Sequence, residues 1–207
     1  MKTKSFDRHN FNPDYKLHLC CAQFDYLRPA FHFIHFMNGY AYATDAHIAI
    51  KAKIADISNF TEDEIAMLNN KSVHFRVFRQ IIQRRNIEIT SDGFVYTDNE
   101  GEFSQTFKFH DIDNERKINI DLFHDDTKDV VPDIESIFAS CEVFEEKPIA
   151  VDRIGFNPEC VDYIARAMNA ERMTFTFSGK STMIRVRPIY DRMQLDIAGI
   201  LMPCLID

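Results

Sequence analysis

The sequence predicts an α+β fold in which antiparallel strands pack against two amphipathic helices. Short segments alternate apolar and polar residues, as half-buried strands do, and turn signals such as Asn38-Gly39, Asp92-Gly93 and Glu100-Gly101 separate them. Two longer segments instead have apolar residues at helical spacing. We therefore expect short strands joined by tight turns, with a helix packed on them at two places.

Composition is that of an ordinary folded protein. The chain has 207 residues, of which 45% are hydrophobic and 27% charged, enough for one large domain or two small ones. No apolar run is long enough to cross a bilayer, and the N-terminus lacks an apolar signal segment. We expect a cytoplasmic protein that makes no membrane contact.

Charge and cysteine content narrow the functional classes. The net charge of −8 argues against a nucleic-acid partner without excluding one, because a polyanion responds to local patches. The arginines cluster while the carboxylates crowd the loops. The five cysteines include an adjacent pair and no C-x-x-C spacing, which predicts reduced thiols and no metal site.

The N-terminal half is predicted to contain six strands and a central helix. Strands are expected at 17–21, 31–36 and 46–52, followed by a short helix with Thr61 as N-cap and Glu64 completing a capping box. Residues 72–85 form an amphipathic helix that a strand precedes, and further strands follow at 87–90, 94–97 and 103–109. The helix carries an apolar stripe of Phe75, Phe78, Ile81 and Ile82 opposite Arg76, Arg79, Gln80 and Gln83.

The segment 111–148 is acidic and irregular, with a strand expected at 118–122 and an apolar stretch at 134–138. We place a boundary there, between modules 1–130 and 131–207. In the second module a strand at 149–156 leads to a helix that Asn157 caps and Pro158 opens, ending near Asn169. A hairpin at 173–177 and 183–186 and a terminal strand at 194–202 complete it.

Three motifs stand out along the chain: RPAF at 28–31 with ATDAHIA at 43–49, IGFNPECV at 154–161, and ILMPCL at 200–205. In this order they resemble the RPxL…ATDGHRLA, IGFNxxYL and xxMPxRL motifs of the bacterial sliding clamp, the β subunit of DNA polymerase III. The resemblance covers roughly residues 17–110 and 149–207. It implies a DNA-clamp-like fold of curved antiparallel sheets, with the helices facing the central hole.

The resemblance gives the arginines a role as backbone contacts to duplex DNA that are independent of base sequence. The alternative is that they are only the solvated face of an amphipathic helix. The predicted DNA-binding residues are Arg76, Arg79, Gln83, Arg84, Arg85, Arg166 and Arg172.

The resemblance also implies a pocket for an apolar peptide of a polymerase or another clamp-binding partner. One wall would be Phe31, Thr44, Ala46, His47, Ile48 and Ala49, and the other Met202, Pro203, Cys204 and Leu205. The family has glycine at Ala46 and arginine at Ile48 and Leu205, so this pocket would be more apolar. These positions are equally compatible with plain core strands.

Length limits the resemblance, because a clamp subunit has three domains and this chain holds at most two. Two trimmed domains would close a ring as a homo-oligomer, whereas a single module with extra strands would not. We expect a sliding-clamp-like processivity factor in DNA replication or repair. The alternative is a clamp-derived protein-interaction module that does not encircle DNA.

An enzyme is the weaker hypothesis. His110-Asp111 and His124-Asp125 resemble the His-Asp pair of metal phosphohydrolases, but those sites lie on helices and these lie in a region rich in strands and loops. The segment 178–181 contains Gly-Lys-Ser without the upstream glycine of a phosphate-binding loop. We therefore predict no catalytic residues and no cofactor.

Overall fold

A computed structural model describes residues 9–23, 28–111, 133–145, 153–177, 182–190 and 194–204. The strands in these ranges are β1 (Phe33–Met37), β2 (Tyr40–Thr44), β3 (Ile48–Lys53), β4 (Lys71–His74), β5 (Ile87–Ile89), β6 (Gly93–Thr97), β7 (Ser104–Lys108), β8 (His110–Asp111), β9 (Met173–Thr176), β10 (Ile184–Pro188) and β11 (Ile197–Leu201). The helices are α1 (Ile54–Ile57), α2 (Glu62–Met67), α3 (Phe75–Ile81), α4 (Ile134–Glu145) and α5 (Pro158–Ala167).

The strands form two antiparallel sheets. The larger has eight strands in the order β8-β4-β1-β2-β3-β11-β10-β9, and the smaller has the order β5-β6-β7. The pairing of β3 with β11 joins the N-terminal and C-terminal parts of the chain, with Ile197 opposite Ala52 and Leu201 opposite Ile48. One sheet therefore spans the predicted boundary at 130/131, and the division into two modules remains a prediction.

The main core lies between the large sheet and the helices α3 and α5. Phe11 is central to it, with ring centroids 4.9 Å from Phe60, 5.2 Å from Phe78 and 5.7 Å from Phe94. A 3₁₀ turn at Leu17–Cys20 packs against α3 and α5 from the same side. The prediction of a strand at 17–21 is therefore wrong. Helices and sheet enclose this segment, so its apolar run does not alternate between core and solvent.

The opposite face of the large sheet is covered by α4. Ile134, Phe138 and Cys141 bury an apolar patch formed by Tyr42, Ala49, Ala198 and Ile200. The Tyr42 hydroxyl donates a 2.9 Å hydrogen bond to Glu135 Oε1, which also accepts from Asn38 Nδ2 at 3.0 Å. The sequence predicted only an apolar stretch at 134–138, and no helix there. The structure corrects this point, with α4 as a 12-residue helix.

Most of the other predicted elements are present with shifted ends. The capping box of Thr61 and Glu64 is confirmed, as are the helix after Asn157 and the hairpin of β9 and β10. The helix predicted at 72–85 is shorter, because β4 occupies its first residues and Asn86 follows with a φ of 63°. β1 begins only after a 3₁₀ turn at Pro29–His32.

Some predicted segments lie wholly or partly outside the described residues. These are the strand at 118–122, the pair His124-Asp125, the first part of the strand at 149–156, and the turn at 178–181. Within the described ranges, Gly155 makes only an isolated antiparallel bridge with Cys204. No helix in the described part of the chain is long and apolar enough to cross a membrane.

Candidate nucleic-acid interface and partner-peptide surface

The amphipathic pattern of α3 determines which of its side chains reach solvent. Phe75, Phe78 and Ile81 are buried in the main core, so the helix can adopt only one rotation about its axis. His74 caps the helix, and its Nδ1 accepts a 3.2 Å hydrogen bond from the backbone N–H of Arg76. The polar side of the helix is consequently exposed: Arg76, Arg79, Gln80 and, just beyond the helix, Gln83.

This polar side borders an open cleft of about 440 Å³. The lining residues are Gln23, Phe75, Arg76, Arg79, Gln80 and Gln83. The guanidinium carbon of Arg76 lies 5.6 Å from the centroid of the Phe75 ring. Among the described residues, the cleft is lined by two permanent cations, three amides and an aromatic side chain, and by no carboxylate.

Helix α5 adds a further basic side chain near the same surface. The Asn157 side chain caps it by accepting a 3.0 Å hydrogen bond from the Glu159 N–H, and Ile164 and Ala167 are buried. Arg166 is therefore exposed, with its Nη1 3.2 Å from Asp162 Oδ2. Both side chains are about half exposed, so this pair holds Arg166 only weakly and leaves it able to exchange partners.

His18 shows that the cations of α3 and α5 act on one region. It is buried in the 3₁₀ turn, and its Nδ1 has no hydrogen-bond partner among the described residues. Burial lowers the pKa of His18 to about 4, and the positive charges of Arg79, Lys16 and Arg166 add to the shift. We call the surface that includes these cations and the α3 cleft the helix face. Sequence analysis missed Lys16 and His18.

The other predicted DNA-binding residues lie around this surface. Arg84 is exposed, with its guanidinium carbon 4.8 Å from the centroid of the Tyr96 ring on β6, a cation–π distance. Arg85 is exposed beside it, and Arg172 is exposed between α5 and β9. The structure thus groups Arg76, Arg79 and Gln83 in the cleft, and links Arg166 to them through His18.

The turn between β2 and β3 is held by its own side chains. Asp45 Oδ1 accepts 2.8 Å hydrogen bonds from the N–H groups of His47 and Ile48. Thr44 Oγ1 donates to the Ile48 carbonyl at 2.7 Å and accepts from the Ala46 N–H at 3.1 Å. Ala46 adopts a φ of 76°, in the left-handed region that favours glycine. This turn is why β3 begins at Ile48 and not at 46.

The C-terminal segment lies directly against this turn. The Met202 N–H donates a 2.9 Å hydrogen bond to the His47 carbonyl, and the Cys204 N–H donates one of the same length to Gly155. The two predicted pocket walls are therefore neighbours. Ala46, His47, Met202 and Cys204 are exposed, and Pro203 is half-buried; we call these five residues the turn–tail surface.

The remaining predicted pocket residues are less accessible. Thr44, Ile48 and Ala49 are buried, with Ile48 in the main core and Ala49 under α4. Phe31 is half-buried in the 3₁₀ turn before β1, with the Arg28 guanidinium 4.9 Å from its ring centroid. Leu205 lies outside the described residues.

The cysteines near this region are free thiols. Burial raises the pKa of Cys20, Cys21 and Cys160, so these thiols stay protonated and behave as small apolar groups. Across the described ranges, no cluster of three or more His, Cys, Asp or Glu side chains is arranged to hold a metal ion.

No protein-family model matches the chain, and no curated protein matches it by sequence. Solved structures do match it by fold. The beta clamp of H. pylori, in complex with diflunisal, is 11% identical, with a TM-score of 0.53 over 100% of this chain and 68% of its own. A sliding clamp, DNA polymerase III subunit beta, from Bartonella birtlesii, bound to griselimycin, is 12% identical with the same TM-score and the same coverage.

A third match, the beta subunit of DNA polymerase III from Thermotoga maritima, is 10% identical with a TM-score of 0.49 over 95% of this chain. The chain spans 64% of that protein's length. Identities this low show the fold alone. The protein is a divergent, shorter chain with the fold of the DNA polymerase III β-subunit sliding clamps.

Proposed function

We propose that the protein is a sliding-clamp-like processivity factor that binds duplex DNA on its helix face and tethers a polymerase or repair protein to it. One observation carries the proposal. Helices α3 and α5 pack on the same side of the large sheet, and Arg79, Lys16 and Arg166 all raise the positive potential at His18. This concentrates positive charge on one face of a protein whose net charge is −8.

The chemistry of the helix face favours contact with the DNA backbone and not with the bases. Exposed guanidinium groups on two separate helices can each bind a phosphate, a contact that carries no information on base sequence. Binding would therefore be independent of sequence and would weaken steeply with salt.

The turn–tail surface is proposed as the tether for partner proteins. It combines the exposed, flexible side chain of Met202 with Pro203 and Cys204, beside the small Ala46. Such groups adapt to apolar partner side chains. We expect the partner to contribute an apolar peptide, since none of the five side chains of the turn–tail surface carries a permanent charge.

Encircling DNA requires a homo-oligomer. Among the strands described, β7 ends the small sheet and β9 ends the large one, so each presents an unpaired edge to a second copy. The chain spans 68% of two of the matched clamps, so one copy covers less of a ring than one clamp chain does. We propose a trimeric ring closed through these edges.

The alternative is a clamp-derived interaction module that does not encircle DNA. The net charge of −8 and the shorter chain favour it. In that case the turn–tail surface would still bind a peptide, and the protein would be a monomer in solution.

Retention on circular DNA distinguishes a clamp that encircles DNA from an interaction module that does not. The protein is incubated with a nicked circular plasmid, and bound protein is separated from free protein by gel filtration. We expect retention that is lost when the plasmid is linearised, because a ring slides off free ends. Native mass spectrometry of the same sample should give a trimer; a monomer with no retention would contradict the proposal.

Charge reversal tests whether duplex DNA binds on the helix face. Arg76→Glu together with Arg79→Glu should abolish retention, since both residues line the cleft on α3. Lys53→Glu is the matched control, because Lys53 is equally exposed but alternates along β3 with residues of the main core. Equal losses for both variants would indicate a general charge effect and would contradict a specific role for α3.

A further inference from the structure

The cleft beside α3 is larger and chemically more varied than contact with duplex phosphates requires. We propose that it binds one unpaired nucleotide of single-stranded DNA, so that the protein prefers junctions between single-stranded and duplex DNA. This inference rests on the proposed function, because it concerns the same face. It adds an unpaired base to the phosphate contacts that the proposed function already assigns to this face.

Volume is the first argument. A backbone phosphate can be bound by a guanidinium on a flat or convex surface, and it needs no concavity. The cleft holds about 440 Å³, which falls in the range of about 300 to 1,000 Å³ that is typical of sites for small organic ligands. That space fits a base with its sugar as well as a phosphate.

The spacing of the side chains is the second argument. Arg76, Arg79 and Gln80 are at helical i, i+3 and i+4 positions on α3, and Gln83 follows in the turn just after the helix, so all four line the cleft. The guanidinium groups supply only donors, which suit a phosphate. The glutamine side chains supply both a donor and an acceptor, which suit the mixed edge of a base.

The position of Gln23 makes the cleft two-sided. Gln23 follows the 3₁₀ turn that contains His18, whereas the other polar residues belong to α3 and its C-terminal end. A third amide, from a separate segment of the chain, therefore lines the same cleft. In a duplex the Watson–Crick edges are paired and each base is stacked between its neighbours, so only an unpaired nucleotide can place its whole base in the cleft.

Binding assays with matched DNA probes test the inference. Fluorescence anisotropy measures the affinity for a labelled single strand of about 12 nucleotides and for a blunt duplex of the same length, at one salt concentration. In the variant Gln80→Ala with Gln83→Ala, the single strand should bind about tenfold more weakly, because two hydrogen-bonding amides are removed. Duplex binding should change less than about twofold.

Arg166→Gln is the control, because Arg166 belongs to the helix face but does not line the cleft. It should weaken both probes by the same factor. Both glutamines are exposed and alanine favours helix, so the double variant should keep its fold, which circular dichroism checks.

Two results would overturn the inference while leaving the proposed function intact. One is duplex binding with no measurable affinity for the single strand. The other is an equal loss for both probes when the glutamines are replaced. Failure to bind either probe, together with no retention on the circular plasmid, would instead contradict the proposed function itself.

Discussion

The helix face and the turn–tail surface lie on the same protein but are built in different ways. On the helix face, long cationic side chains reach solvent while buried aromatic and aliphatic residues hold the backbone. On the turn–tail surface, main-chain hydrogen bonds and the Asp45 carboxylate fix the geometry, and the exposed side chains are short or apolar. The difference predicts that exposed side chains can be replaced without loss of stability on the helix face, whereas changes on the turn–tail surface also affect folding.

The largest effect on stability should come from truncating a buried side chain that packs α3 against the main core. Phe78 is 1% exposed and its ring centroid lies 5.2 Å from that of Phe11, so Phe78→Ala should lower the free energy of unfolding by about 3–5 kcal/mol. Arg79→Gln, one residue along, should change it by less than about 0.5 kcal/mol. Urea denaturation measures both. Similar losses of stability in the two variants would contradict the distinction between the buried side chains that stabilise α3 and the exposed side chains that do not.

Acid should destabilise the protein through His18. The pKa of His18 is about 4 in the folded state and about 6.5 in the unfolded state, so the unfolded chain binds a proton first as pH falls. This contribution to stability is fully present above pH about 6.5 and is lost between there and pH about 4, for a total of about 3 kcal/mol.

The variant His18→Leu isolates that effect, because other groups titrate equally in both proteins. Its unfolding free energy should fall less between pH 7 and pH 4 than that of the parent chain, as measured by denaturation at each pH. NMR titration of the parent chain and of the Arg79→Gln variant should show a higher pKa of His18 in the variant, because a nearby positive charge has been removed. An unchanged pKa would mean that Arg79 does not act on this region.

Gly199 tests how tightly β11, which leads into the turn–tail surface, packs against α5 of the helix face. It lies on β11, which leads into Met202, and a Cβ there would meet the end of the Met168 side chain and come within 2.5 Å of Ile164 Cδ1 at α5. Gly199→Val should therefore cost about 1–3 kcal/mol of stability through overpacking. Thermal unfolding measures it. A neutral result would show that α5 can move away from β11 at no cost in stability.

The smallest effect should come from Ala46 in the turn. Its φ of 76° is unfavourable for a residue with a Cβ, so Ala46→Gly should stabilise the protein by about 0.5–1 kcal/mol. Denaturation checks the change, and Asn38→Gly offers a comparison at another positive φ, of 51°. Destabilisation by Ala46→Gly would mean that the turn is not strained at this residue.

Local signals in the sequence were sufficient for several elements. Asn157 and Pro158 predicted the start of α5, Thr61 and Glu64 predicted the capping box, and the stripe from Phe75 to Ile82 predicted which side of α3 is exposed. Each of these depends on residues within a few positions of one another. Propensity and periodicity act over that distance, so no tertiary information was needed.

Long-range packing explains what the sequence could not predict. Helix α4 packs on the sheet face that carries Tyr42, whose hydroxyl donates a hydrogen bond to Glu135, 93 residues away in the sequence. The segment from Leu17 to Cys20 has the composition of a strand, and only the helices packed around it determine its 3₁₀ turn. The roles of Lys16 and His18 follow from that turn, which is why they carried no signal in the sequence.

The salt dependence of duplex binding tests most directly whether the helix face holds DNA. The slope of log affinity against log salt concentration decreases in magnitude by about 0.9 for each phosphate that the protein no longer neutralises. Arg76→Gln with Arg79→Gln should reduce the slope by about 2, whereas Lys53→Gln on the other side of the sheet should leave it unchanged. An unaltered slope in the arginine variant would contradict the proposal that duplex DNA binds on this face.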